Sequence, residues 1–179
     1  MKIRFPLISL FVALVLSGCG QKDSASAAAS AAAPAAAASA PVAGPRMIEL
    51  TANDTMKFMM GDKASGPGAG LVIEAKVGEQ LKFVLTNNGT QPKEVMGHNL
   101  ILLKPGSDSA AFSTAATVAK ETNYIPPALK DQVLGNTEVL GPRKSGEFTI
   151  TVTAAGEYPF LCSFPAHFAV GMKGTLSVK

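Results

Sequence analysis

One stretch near the C-terminal end constrains this chain more than any other. Residues 161–178 read Leu-Cys-Ser-Phe-Pro-Ala-His-Phe-Ala-Val-Gly-Met-Lys-Gly-Thr-Leu-Ser-Val. Apolar, strand-like residues bracket a loop, and the loop carries a Cys-x4-His-x4-Met spacing at Cys162, His167 and Met172. A short loop fixes the mutual geometry of the thiol, imidazole and thioether it bears. It can do so only if the strands on either side are held rigidly. The 179 residues include two histidines and two cysteines. The second histidine lies far upstream, in Met96-Gly97-His98-Asn99.

Once Cys19 is accounted for below, one thiol, two imidazoles and one well-placed thioether remain. Two His and one Cys in a plane with a weak axial Met form the donor set of a mononuclear blue-copper site. Cu(I) prefers soft sulfur and low coordination, whereas Cu(II) prefers nitrogen and a tetragonal arrangement. This set suits neither extreme, so the metal can gain or lose an electron with little ligand movement. His98, arriving from a distant strand, ties the ligand loop to the body of the fold.

The same residues admit other chemistries. A copper storage, trafficking or protection protein would use these ligands but exchange the metal readily. Zinc also binds Cys and His well, without redox function. A Cys162 nucleophile with His167 as base lacks a third orienting group and an oxyanion site. The chain is therefore read as a redox carrier rather than an enzyme.

Charge narrows the partners. The formal net charge is +3, with 16 basic and 13 acidic residues. Lys2 and Arg4 fall in a segment expected to be removed, which leaves the remainder close to neutral. No run of like charge occurs, so the clustered basic face of a nucleic-acid binder is absent.

Residues 1–18 read as a secretory signal. Lys2 and Arg4 precede a short apolar core, too short to span a membrane comfortably. The core ends in Leu16-Ser17-Gly18-Cys19, which resembles the lipobox of bacterial lipoproteins. That resemblance implies an acylated Cys19 as the first mature residue. The alternative is an ordinary cleaved signal with a chance cysteine. Three acyl chains exceed the two-signal requirement for stable anchoring. Gly20, rather than Asp, follows Cys19, which by the same resemblance favours the outer membrane. An acylated Cys19 leaves Cys162 with no disulfide partner. In an oxidising compartment a lone thiol is a liability unless something occupies it.

Residues 19–45, after Cys19 itself, are almost wholly Ala, Ser, Pro and Gly and have little to bury, which predicts a disordered tether. About 25 residues of flexible coil give a root-mean-square reach of roughly 25–30 Å, and about 85 Å when fully extended.

Residues 46–179 suit a single β-sandwich. Alternation predicts strands with Leu71, Ile73, Ala75 and Val77 on one face, then Leu81, Phe83 and Leu85, then Phe148, Ile150 and Val152. Asn87-Asn88-Gly89 reads as a turn, and residues 99–104 as a strand. Residues 107–120 break the β pattern. Their Ala spacing predicts a short helical flap capped by Asp108 or Ser109. Residues 124–134 should continue irregularly, because Pro126-Pro127 cannot lie inside a helix.

The C-terminal motif and Met96-Gly97-His98-Asn99 resemble the azurins and the small blue-copper proteins called auracyanins. The resemblance covers most of residues 47–179. It implies an all-β Greek-key sandwich of the cupredoxin kind and one type 1 copper. By position, His98, Cys162 and His167 become equatorial ligands and Met172 the axial one. Gly97 falls on the glycine whose backbone carbonyl lies opposite Met. Asn99, with Ser163, should tie the ligand loop to the neighbouring strand. Phe164 and Pro165 would cover the copper. His167 would present its ring edge at the surface amid Met96, Phe164, Pro165, Ala166 and Phe168, where redox proteins such as a cytochrome, reductase or oxidase dock. Three departures stand out. Four residues rather than azurin's three separate His167 from Met172, as in auracyanin-like proteins; the early disulfide is missing; and Leu100 replaces a buried Trp. The expected state is a monomer.

Overall fold

The computed structural model describes residues 44–179 apart from residue 69. The leader, Cys19 and all but the end of the linker lie outside the described residues. In chain order the elements are β1 (Arg46–Asn53), β2 (Lys57–Met60), β3 (Lys63–Ala64), β4 (Leu71–Ala75), β5 (Gln80–Asn87), α1 (Lys93–Met96), β6 (Ile101–Leu103), α2 (Ser109–Ala116), β7 (Val133–Asn136), β8 (Ser145–Thr151), β9 (Gly156–Leu161) and β10 (Lys173–Val178). Two 3-10 helices, Lys120–Thr122 and Pro127–Gln132, lie between α2 and β7. No helix among the described residues is long and apolar enough to cross a membrane.

The strands form two five-stranded sheets, ordered β3-β2-β1-β5-β8 and β4-β10-β9-β6-β7. The chain crosses between the sheets, so β1 pairs in parallel with β5 and β4 in parallel with β10. Period-two alternation drives the packing. Leu81, Phe83 and Leu85 of β5 are fully buried, as are Phe160 of β9 and Leu176 of β10. Each such side chain stabilises the fold by about 1.5–3 kcal/mol.

Two alternation readings shift at strand ends and edges. Val77 is 49% exposed because β4 ends at Ala75 and the chain turns, with the Glu79 N–H donating to the Lys76 carbonyl. Phe148 and Ile150 are only partly buried because β8 is an edge strand, although Phe148 stacks on Phe83 with ring centroids 5.1 Å apart.

The flap explains why β6 is buried on both faces. Leu100 and Leu102 point into the main core, while Ile101 and Leu103 join Leu161 and Phe112 of α2 in a second cluster. Asp108, rather than Ser109, caps α2, accepting from the Ala110 and Ala111 N–H groups at 2.9 and 3.0 Å. Pro127 opens the following 3-10 helix, where its missing N–H costs nothing. Strand β7 begins at Val133, inside the stretch read as irregular.

Candidate metal centre

β9 and β10 are antiparallel neighbours, and residues 162–172 join them. Cys162 follows β9 and Met172 precedes β10. The Cys162 N–H donates to the Met172 carbonyl at 3.1 Å, which continues the ladder one step and closes the loop at its base. Inside the loop the Met172 N–H donates to the His167 carbonyl at 3.0 Å and the His167 N–H to the Phe164 carbonyl at 3.2 Å. Gly171, at φ +97°, lies so close to residues 66–67 that a Cβ would stand 2.5 Å from the Gly66 carbonyl oxygen. The loop is therefore braced by its own backbone and against the segment that joins β3 to β4.

His98 arrives differently from the expected strand position. β6 begins only at Ile101, and His98 sits on an isolated antiparallel bridge with Leu140. The ladder is interrupted because the Thr137 hydroxyl takes the Leu100 N–H at 3.0 Å in place of a backbone carbonyl. The bridge itself is sound. The His98 N–H donates to the Leu140 carbonyl at 3.2 Å, and the Leu140 N–H donates back at 2.7 Å.

These elements bring one donor atom each from His98, Cys162 and His167 within 4.8 Å of one another. The Cys162 Sγ lies 3.4 Å from the His167 Nδ1, and the two imidazole centroids are 4.8 Å apart. His98, Cys162 and Met172 are fully buried. His167 is also buried, at 2% exposure, which corrects the expectation of a ring edge at the surface. The Phe164 ring packs 4.9 Å from it and is wedged from behind by Tyr124, edge-on at 5.1 Å. Of the expected docking patch, Met96, Pro165 and Phe168 are half-buried, Ala166 is exposed and Phe164 is buried.

Burial sets the electrostatics. It lowers both imidazoles to about 4, with the Asn53 backbone and the Asp54 carboxylate pulling weakly the other way at His98. The Asn53 contact does not reach hydrogen-bond geometry, and among the described residues neither His98 nitrogen has a hydrogen-bond partner. Burial also pushes the Cys162 thiol up to about 12. A buried polar atom without a partner costs about 1–3 kcal/mol. Two neutral imidazoles beside a buried thiol, His98 with both nitrogens unpartnered, resolve that cost by binding a soft or borderline cation. A bound metal ion reverses the thiol's preference and deprotonates it. The donor set and its unpartnered nitrogens thus fit one copper ion.

Asn99 stitches the site from behind. Its Oδ1 accepts from the Ser163 N–H at 2.8 Å, and its Nδ2 donates to the Ser163 Oγ at 2.9 Å and to the Asn123 carbonyl at 3.1 Å. Gly97 stands at φ −68°, so space rather than backbone conformation selects glycine there. A Cβ would meet the Lys93 carbonyl oxygen and the Val139 Cγ1 at 2.5 Å. Sequence reasoning did not single out Leu140, Thr137, Val139 or Asn87. Only Asn87 carried a signal, and it was read as a turn residue. Asn87 is 1% exposed, with its Nδ2 donating to the Leu140 carbonyl at 3.0 Å.

A two-sheet sandwich with a buried Cys-His-His cluster between its strand ends is the architecture of a copper protein. The chain belongs to the plastocyanin/azurin family of copper-binding proteins, whose pattern matches residues 70–179. Auracyanin-B of Chloroflexus aurantiacus is 37% identical over 110 residues, 60% of this chain and 44% of that protein, so the match spans less than half of its length. Azurin of Bordetella pertussis is 35% identical over 143 residues, covering 78% of this chain and 88% of that one. Outer membrane protein H.8 of Neisseria meningitidis is 32% identical over 138 residues, 76% and 69% of the two chains. Among solved structures, dithionite-reduced auracyanin from Roseiflexus castenholzii superposes with a TM-score of 0.61 at 28% identity, covering 74% of this chain and 96% of that one.

Proposed function

We propose that this chain is a lipid-anchored type 1 copper protein that carries single electrons between redox proteins of a bacterial cell envelope. The observation that carries the reading is the buried His98–Cys162–His167 cluster with both His98 nitrogens unpartnered. His98, Cys162 and His167 would hold the ion, with Met172 and the Gly97 carbonyl as further donors. Bound there, copper supplies a one-electron couple. The protein keeps water from the site by burial and fixes the ligands through the braced loop and the His98–Leu140 bridge, so little rearrangement accompanies a change of charge. Asn99 and Ser163 orient the loop beside the thiolate.

The domain division proposed is a leader over 1–18, an acylated Cys19 with its linker over 19–45, and the copper domain over 46–179. The Leu16-Ser17-Gly18-Cys19 sequence supports the anchor, as does the outer-membrane name of the Neisseria relative. Partners such as a cytochrome, reductase or oxidase would meet the half-buried Met96, Pro165 and Phe168 and the exposed Ala166. Neither nucleic acid nor a second copy is required.

The test is a visible spectrum of residues 46–179 with one equivalent of Cu(II), followed by reduction and reoxidation. An intense blue thiolate-to-copper band that bleaches reversibly, and that Cys162→Ser abolishes, is the expected result. No band, or copper lost on reduction, rejects the carrier and favours copper handling.

A further inference from the structure

Among the described residues His98 has no side-chain hydrogen bond, so what fixes it acts through its main chain. Its N–H donates to the Leu140 carbonyl at 3.2 Å, and the same oxygen accepts the Asn87 Nδ2 at 3.0 Å. Asn87 ends β5, and the chain from there to His98 forms a loop containing α1. Both ends of this loop therefore meet on one acceptor. Asn87 also fixes the other side of that acceptor. Its N–H donates to the Lys144 carbonyl at 2.9 Å, and its carbonyl accepts the Arg143 N–H at 2.8 Å.

The tip of the loop is held from the opposite direction. The Asn87 Oδ1 accepts the Gly89 N–H at 2.8 Å. The Asp54 carboxylate then takes the Thr90 N–H and hydroxyl, each at 2.9 Å, and the Gln91 N–H at 3.4 Å. The contacts form a chain running from His98 through Leu140, Asn87 and Gly89–Gln91 to Asp54. Gly89 fits because a Cβ would collide with the Asp54 and Asn87 side chains.

We propose that Asn87 and Asp54 are positioning residues for His98, clasping its loop at base and tip so that the ligand is held independently of the Cys162–Met172 loop. The inference rests on reading His98 as a copper ligand. The consequence is a split of labour. The ligand loop presets three donors, and this chain of hydrogen bonds presets the fourth before any metal arrives.

The metal-free domain provides the first readout, amide hydrogen exchange by NMR. Losing one buried hydrogen bond should raise local opening about tenfold. Asn87→Ala should therefore speed exchange of the His98 and Leu140 amides about tenfold while leaving Cys162 and His167 unchanged. Asp54→Ala, on a half-exposed residue, should fold and give a smaller acceleration at Thr90, Gln91 and His98. The second readout is the copper self-exchange rate, which should fall several-fold in both variants. Tyr158→Phe is the control, because it deletes a hydrogen bond to the Ala154 carbonyl at 2.7 Å near the start of β9. The inference is overturned if both clasp variants leave His98 exchange and self-exchange within twofold of the control, even with lowered melting temperatures. Should Asn87→Ala fail to fold, Asp54→Ala alone decides. A wild-type protein that does not cycle copper overturns the carrier reading, and the metal-free exchange data then decide this inference by themselves.

Discussion

Replacing Asn99 with Ala tests how the ligand loop is attached to the sandwich. The Asn99 amide is fully buried and serves three groups: the Ser163 N–H, the Ser163 hydroxyl and the Asn123 carbonyl. Each buried group left unmatched costs about 1–3 kcal/mol. The Asn123 carbonyl is partly accessible and can recruit water, and the Ser163 hydroxyl can rotate, so the lower end applies to those two. The Ser163 N–H loses its acceptor among the described residues, at about 1–2 kcal/mol. The total is about 3–4 kcal/mol, a large share of the roughly 5–15 kcal/mol that stabilises a domain. Calorimetry on the metal-free domain should show a melting temperature lower by about 10–15 °C. Ser163→Ala should cost only about 1 kcal/mol, because Asn99 keeps its bonds to the Asn123 carbonyl and the Ser163 N–H. The double variant should show a coupling of about 1 kcal/mol. A drop below about 4 °C for Asn99→Ala, or no coupling, refutes the claim that this side chain holds the loop.

Gly97→Ala should destabilise by about 1–3 kcal/mol through overpacking against the Lys93 carbonyl and Val139, and should shift the copper spectrum because His98 is its neighbour; denaturant unfolding and absorption measure both. The metal-free domain should lose stability as pH falls from about 6.5 to about 4, the interval between the ordinary and the lowered histidine values. The unfolded imidazoles take up protons there while the folded ones do not, costing roughly 3 kcal/mol for each taken alone. Urea melts at pH 7, 5.5 and 4 should show the loss, and copper loading should move it to lower pH. Asp108→Ala should cost about 1 kcal/mol by uncapping α2 and leave the blue band unchanged, since its carboxylate serves the Ala110 and Ala111 N–H groups of the helix.

The ligands were legible because they combine rare residue types with fixed spacing. Leu81, Phe83 and Leu85 were legible because alternation reports burial directly when a strand is central. What the sequence hid depends on tertiary closure. Ile101 and Leu103 look no different from Leu100 and Leu102, and only the flap's position explains burial on both faces. Strand position misled for His98 because Thr137, distant in sequence, replaces a ladder bond. Asn87 has the composition of a turn and the burial of a core residue. Nothing local tells the two apart, since its acceptor, Leu140, lies on another segment. The covering of His167 depends on Tyr124 backing Phe164, a contact between two loops that share no sequence pattern.

The burial of Cys162 bears on the life of the protein before it meets copper. Oxidation and thiol exchange require a thiolate that reagents can reach. A fully buried thiol pushed up to about 12 offers neither. The vulnerable interval is therefore the unfolded one, and it ends when the sandwich closes rather than when the metal arrives. In an oxidising envelope the empty protein can wait as a durable reservoir of competent sites. The same shielding makes maturation slow, because an incoming ion must find the loop momentarily open and displace a tightly held proton.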